Sequence, residues 1–196
     1  NFSRELEILK GNIYGVKVGL EMFTSEGPSS VEKLKKDGWT VFLDLKLHDI
    51  PNTVQAAAIS AGNIGADYLT IHIASGKETL LAAKESKPEN LKLLGVSTAL
   101  TSKAYSPEIS QRVYEEFLLA KESKIDGVIC PPSELFKTKE LFELIVTPGI
   151  RLKNDDSHDQ KNITTPEKAI RDGASYLVMG RSIRQNINYV VEKLKL

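Results

Sequence analysis

Seven short apolar runs recur along this chain, and a helix-length segment follows each of them. The runs occupy residues 13–19, 41–47, 68–73, 92–98, 127–130, 144–146 and 176–180, with one further helix (3–10) ahead of the first. The intervals between runs are too long for hairpins and suit crossover helices. The strands therefore pair in parallel through right-handed βαβ units. A closed (β/α)8 barrel needs eight strands and about 200 residues at its smallest. With 196 residues and seven strands, the chain reads as a TIM (β/α)8 barrel whose first strand precedes Asn1 and is missing. Residues 1–196 then form a single, N-terminally incomplete domain. The rival is an open doubly wound sheet, which calls for a G-x-G-x-x-G turn, and the sequence has none.

Within that pattern, residues 41–53 (VFLDLKLHDIPNT) carry the unusual chemistry. With a strand's period of two, Val41, Leu43, Leu45 and Leu47 face outward, under helices, and Phe42, Asp44 and Lys46 face inward. An inward carboxylate and ammonium survive only when paired and hydrogen-bonded. Asp49 follows at the strand end, and Pro51-Asn52-Thr53 opens an Ala-rich helix, making D-x-K-x-x-D at the C-terminal end of a parallel strand. Lys17 offers a second inward lysine near the end of the preceding strand, and Thr70 and His72 point inward from the next. His72, Thr101, Pro148, Arg151, Gly180 and Arg181 also fall at strand ends. In a barrel those ends converge on one catalytic face. Gly180-Arg181-Ser182 joins the last strand to a helix, a position where backbone N–H groups and an arginine fork suit a phosphate.

Composition narrows the chemistry further. Lys plus Arg and Asp plus Glu number 26 each, so nothing points to a nucleic-acid or membrane surface. Cys130 stands alone, which excludes an internal disulfide and suits the cytoplasm. No apolar run approaches the roughly 18 residues of a membrane span. Neither a metal-ligand cluster nor a cofactor fingerprint is visible in the sequence.

The motifs DLKLHDIPNT at 44–53, VKVG at 16–19, LTS at 100–102, TPGIR at 147–151, Gln160 and MGRSI at 179–183 occur in this order over nearly the whole chain. Together they resemble the orotidine 5′-phosphate decarboxylases of the bacterial type. The resemblance implies a cofactor-free, metal-free carboxy-lyase that converts orotidine monophosphate to uridine monophosphate and CO2 in pyrimidine synthesis. It implies Lys46 as proton donor to C6, Asp44 and Asp49 flanking it, and Lys17 completing an alternating charge network. Thr101 would contact the pyrimidine. Arg151, Gln160, Gly180 and Arg181 would hold the phosphate end, with Gln160 on a closing loop within 152–162, and Pro148 would be a further substrate-binding residue. The family is a homodimer in which the stretch from Asp49 through Ile50 to Thr53 reaches into the neighbour's site. The family's ribose-binding aspartate at the end of the first strand has no counterpart here.

Other readings of the same residues remain open at the level of sequence. A magnesium-dependent sugar-phosphate decarboxylase, such as 3-keto-L-gulonate 6-phosphate decarboxylase, shares D-x-K-x-x-D, although not the HDIPNT continuation, Lys17 or the TPGIR loop. A barrel lacking its first strand could also bind nucleotide without turning it over. Asp44 and Lys46 could form a structural ion pair, and Asp49 could cap the helix after it. His48, His72, His158 and Cys130 are read as supporting, wall, loop and packing residues, none of them catalytic.

Overall fold

A computed structural model describes residues 2–101, 106–152, 163–185 and 187–194. In chain order the elements are α1 (Phe2–Leu9), β1 (Gly15–Gly19), α2 (Leu20–Glu26), α3 (Ser29–Lys36), β2 (Thr40–Leu47), α4 (Pro51–Asn63), β3 (Tyr68–His72), α5 (Lys77–Ser86) and β4 (Lys92–Val96). They continue with α6 (Pro107–Glu122), β5 (Gly127–Ile129), α7 (Leu135–Thr138), β6 (Ile145–Thr147), α8 (Pro166–Asp172), β7 (Tyr176–Leu177), α9 (Arg181–Gln185) and α10 (Ile187–Leu194). Local chemistry marks the helix starts. Pro51, Pro107 and Pro166 each occupy the first helical position, where the missing N–H costs nothing. Ser106 and Thr165 accept a backbone N–H as side-chain caps of α6 and α8.

Every strand pairs in parallel with its neighbour in sequence, giving the order β1-β2-β3-β4-β5-β6-β7. The sheet curls with helices outside it, the (β/α)8-barrel architecture with seven strands among the described residues. Strand alternation sorts side chains into two layers. Val18, Val41, Leu43, Leu69, Ile71, Leu93, Val128 and Ile145 face outward into the large core shared with the helices. Tyr68, Leu94, Val96, Ile129 and Val146 form a separate interior cluster, with Phe42, Tyr176 and Val178 packed on it.

Three residues at the N-terminal ends of alternate strands clamp the strand before them. Asp67 accepts the Val41 N–H at 2.7 Å, Asp126 accepts the Leu93 N–H at 2.8 Å, and Ser175 Oγ accepts the Ile145 N–H at 3.0 Å. Each satisfies a backbone donor one residue before the ladder to the following strand begins. Strands β1 and β7 are the two edges of the sheet, and a cavity of about 330 Å³ opens between them, lined by Gly15, Lys17, Phe42, Tyr68, Tyr176 and Val178 among others. At its base Tyr14 stacks on Tyr176 with ring centroids 4.4 Å apart and shares a hydroxyl hydrogen bond of 3.0 Å with Tyr68.

Several details depart from the strand pattern. Tyr14 lies outside β1 and is 56% exposed rather than sharing the buried face of Val16 and Val18. The alternation in β2 also fails after Leu43. Leu43 is opposite Leu69, but Leu47, four residues on, is opposite Ile71, only two on. A bulge absorbs the difference, and Leu45 and Leu47 are half-buried where the regular pattern places them in the core.

Candidate active site

The charged centre lies where β1, β2 and β3 end. Gly19 of β1 is in register with Asp44 of β2, which brings Lys17 within reach of the carboxylate. Lys17 Nζ lies 3.2 Å from Asp44 Oδ2, and Lys46 Nζ lies 2.8 Å from Asp44 Oδ1. One carboxylate is thus bracketed by two ammonium groups, one on each oxygen. Gly19 leaves room for this: a Cβ there would sit 3.1 Å from Lys17 Nζ. The Asp44 side chain is 12% exposed, whereas those of Lys46 and Lys17 are 34% and 37% exposed, so both cations keep a face open to an incoming ligand. Burial pushes the Asp44 carboxyl up. The hydrogen bond from Lys46 and the charges of Lys17 and Lys46 outweigh burial, and the group ends below its ordinary value.

The bulge aims Lys46. Its φ is +50°, a left-handed conformation that a non-glycine residue adopts at a cost. Its backbone N–H donates to Thr70 Oγ1 at 2.8 Å, and the same hydroxyl lies 3.0 Å from Asp44 Oδ1 as donor. Above Thr70 on β3, His72 faces the His48 ring at 5.2 Å between centroids. Burial, then the nearby His48 and Lys46, hold the His72 imidazole below its ordinary value, and its Nδ1 is buried without a hydrogen-bond partner. His72 thus lines the wall, as the sequence suggests, but its Nδ1 lacks the hydrogen bond expected of a wall residue.

Asp49 stands apart from that centre. It is exposed, and its carboxylate accepts the N–H of Ile50 at 2.7 Å. With His48, Ile50 and Pro51 it lines an open cleft against the start of α5. Ile50 is 65% exposed and Thr53 is exposed as well. Within one chain, therefore, the D-x-K-x-x-D residues divide into Asp44 and Lys46 on one side and Asp49 on the other. The alternative of Asp49 as a helix cap is not met: the cap position of α4 is Ile50, with no side-chain bond.

The expected phosphate end is assembled from β6 and β7. Val178 N–H donates to the Thr147 carbonyl at 2.9 Å, and the Ser182 hydroxyl, on a residue 1% exposed, lies 3.5 Å from the Ile150 carbonyl. These contacts bring Pro148 to Arg151 beside Gly180 and the start of α9. The Arg151 side chain donates to the Ile150 carbonyl at 2.8 Å. Thr101 ends a 3₁₀ turn, Thr98–Thr101, that Glu116 pins by accepting both the Thr98 N–H (2.9 Å) and hydroxyl (2.8 Å). Gln160 and the side chains of Thr101 and Arg181 lie outside the described residues, as does most of the loop 152–162.

Sequence reading missed Glu116 and named Thr70 and Ser182 without the partners they meet at this end of the barrel. The inward face of Thr70 was legible from alternation, but its partners depend on a bulge that no local pattern announces. Among the described residues there is no cluster of three or more His, Cys, Asp or Glu side chains able to hold a metal. Nor, among the described residues, is any helix long and apolar enough to cross a membrane.

Comparison with known proteins agrees with this fold. Residues 5–194 match the family described as "Orotidine 5'-phosphate decarboxylase / HUMPS family". The chain is 42% identical over 191 residues to orotidine 5′-phosphate decarboxylase of Fusobacterium nucleatum, covering 88% of this chain and 79% of that one. Among solved structures, orotidine 5′-phosphate decarboxylase of Lactobacillus acidophilus superposes with a TM-score of 0.78 at 32% identity, covering 98% of this chain and 92% of that one. The Methanocaldococcus jannaschii orotidine 5′-monophosphate decarboxylase, solved with the inhibitor BMP, gives a TM-score of 0.76 at 25% identity, covering 98% and 89%.

Proposed function

The chain belongs to the orotidine 5′-phosphate decarboxylase/HUMPS family, and on that premise we propose that the Lys17–Asp44–Lys46 centre decarboxylates orotidine 5′-phosphate, with Lys46 as the acid. The activity is that of a carboxy-lyase: orotidine 5′-phosphate gives uridine 5′-phosphate and CO2, a step of pyrimidine biosynthesis. In the reaction the C6–carboxylate bond breaks, CO2 leaves, and the electron pair stays on C6. That pair lies in the ring plane, where no neighbouring carbonyl delocalises it. A fixed ammonium beside C6 stabilises the developing charge and then transfers its Nζ proton there. Lys46 afterwards regains a proton from solvent.

The observation that carries this proposal is the Lys46 ammonium held 2.8 Å from a largely covered carboxylate while 34% of its side chain stays open to the barrel mouth. Asp44 fixes its position, and Lys17 balances the second carboxylate oxygen. The whole of 1–196 acts as one decarboxylase domain without a metal or other cofactor. Arg151, Gln160, Gly180 and Arg181 serve the phosphate, Thr101 the pyrimidine, and Pro148 is a further substrate-binding residue. The enzyme works in the cytoplasm as a homodimer, with no nucleic acid or membrane as partner. The exposed Asp49, Ile50 and Thr53 complete the site of the second subunit. The separation of Asp49 from Asp44 within one chain supports that sharing.

The test is turnover of orotidine 5′-phosphate, followed by loss of the orotate absorbance, with and without excess EDTA. Unchanged rates support fixed-charge catalysis. Turnover abolished by EDTA and restored by magnesium overturns it in favour of a metal-assisted sugar-phosphate type of site.

A further inference from the structure

Thr70 has no exposed surface, a position in the middle of a barrel strand where a small apolar residue would pack without a polar group to satisfy. Its hydroxyl uses both of its capacities. It donates to Asp44 Oδ1 at 3.0 Å and accepts the Lys46 N–H at 2.8 Å. In an uninterrupted parallel ladder that N–H would go to a strand carbonyl. Here the register slips between Leu43 and Leu47, and a side chain 24 residues away takes the donor instead. Lys46 and Lys124 are the two non-glycine residues with positive φ among those described, so the Lys46 backbone needs something to hold it. One oxygen atom therefore ties together the bulge that aims Lys46 and the carboxylate that receives its ammonium.

We infer that Thr70 is a positioning residue for the decarboxylation: its hydroxyl locks the Lys46 bulge against Asp44 so that Nζ is held at the barrel mouth. It touches no reacting atom and acts through Lys46 and Asp44. The inference rests on the functional proposal above for its kinetic consequence, but its geometric part does not. Thr70→Val keeps the branched shape and removes the hydroxyl, and Thr70→Ser keeps the hydroxyl and loses a methyl.

The expected result for Thr70→Val is a fall in kcat of about a hundredfold, the scale of a small misplacement of a catalytic group. KM should stay within about threefold, because ground-state binding is untouched. Thr70→Ser should recover kcat to within about fivefold of wild type, by the same reasoning. Independently of turnover, amide hydrogen exchange at Lys46 should be protected in wild type and Thr70→Ser, and fast in Thr70→Val. If Thr70→Val does not fold, Thr70→Ala poses the same question. A Val variant with wild-type kcat, a Ser variant as slow as Val, or a Lys46 amide equally protected in all three overturns the inference. A wild-type protein inert toward orotidine 5′-phosphate sinks the functional proposal instead, and the exchange experiment still decides whether Thr70 holds the bulge.

Discussion

Lys46 Nζ lies 2.8 Å from Asp44 Oδ1, two residues earlier in the same strand, although the Lys46 backbone is left-handed at φ +50°. On a regular strand two such residues point the same way about 7 Å apart, with long side chains free to choose other partners. The bulge removes that freedom. It spends backbone strain to turn Lys46 onto the carboxylate, and strain of this kind persists where surrounding contacts over-determine it. The bond from Lys46 Nζ to Asp44 and the bond from its backbone N–H to Thr70 are those contacts.

Replacing Lys46 by alanine should nearly abolish turnover with the fold intact, since a charge needed chiefly in the transition state is lost. General-acid groups contribute about 10²–10⁴-fold, and here the same group also stabilises the carbanion. Retention of even a tenth of wild-type kcat in the absorbance assay would contradict its role.

Removal of the Arg181 or Gln160 side chain should act through the substrate's phosphate. Arg181→Ala and Gln160→Ala should lose activity on the nucleotide while matching wild type on phosphate-free orotidine, because remote binding energy is what drives the reacting end into place. Equal losses on both substrates would detach these residues from the phosphate.

Asp44 gives a pH signature in stability. Its folded-state value lies below the ordinary 3.8, so the folded protein holds the ionised carboxyl more strongly than the unfolded chain does. That stabilisation is complete above the ordinary value and is lost as pH falls through the lower folded-state value. The unfolding midpoints of wild type and Asp44→Asn should keep a constant separation from pH 7 to 5. Below about pH 4 the separation should shift in the variant's favour. A separation unchanged down to pH 3 would mean that the ion pairs do not survive in solution.

Asp126 should matter for stability alone. It accepts the Leu93 N–H at 2.8 Å and pairs with Lys84 and Lys87 at the end of the barrel away from Lys46. Asp126→Ala leaves that donor without its partner and should cost about 1–3 kcal/mol in denaturant unfolding, with kcat per folded molecule unchanged. A drop in kcat with no loss of stability would show that the two ends of the barrel are coupled.

The shared site can be tested by mixing subunits. Homodimers of Lys46→Ala and of Asp49→Ala should both be nearly inactive. After denaturing and refolding an equal mixture, about half the dimers should be mixed, and in each of those one site carries both lesions and the other none. Activity should return to about one quarter of wild type. If native mass spectrometry detects hybrids and activity stays absent, Asp49 serves its own subunit.

The order of strands and helices, the parallel sheet, and the end of the barrel where Lys17, Asp44 and Lys46 meet were all legible in the sequence. They follow from local periodicities, two for a strand and 3.6 for a helix, and from the handedness of βαβ crossovers. The outward faces of Leu69 and Ile71 and the inward faces of Thr70 and His72 came from the same rule. So did the gathering of Lys17, Asp44 and Lys46, although their pairing depends on the register of Gly19 with Asp44. The break in β2 was not legible, because a bulge is a property of two strands and the bond that holds it comes from Thr70, 24 residues away. The turning of Asp49 away from Asp44 was likewise decided by where the strand ends and α4 begins, not by its spacing in D-x-K-x-x-D. Local pattern fixes which way a side chain points; only packing between elements fixes what it meets.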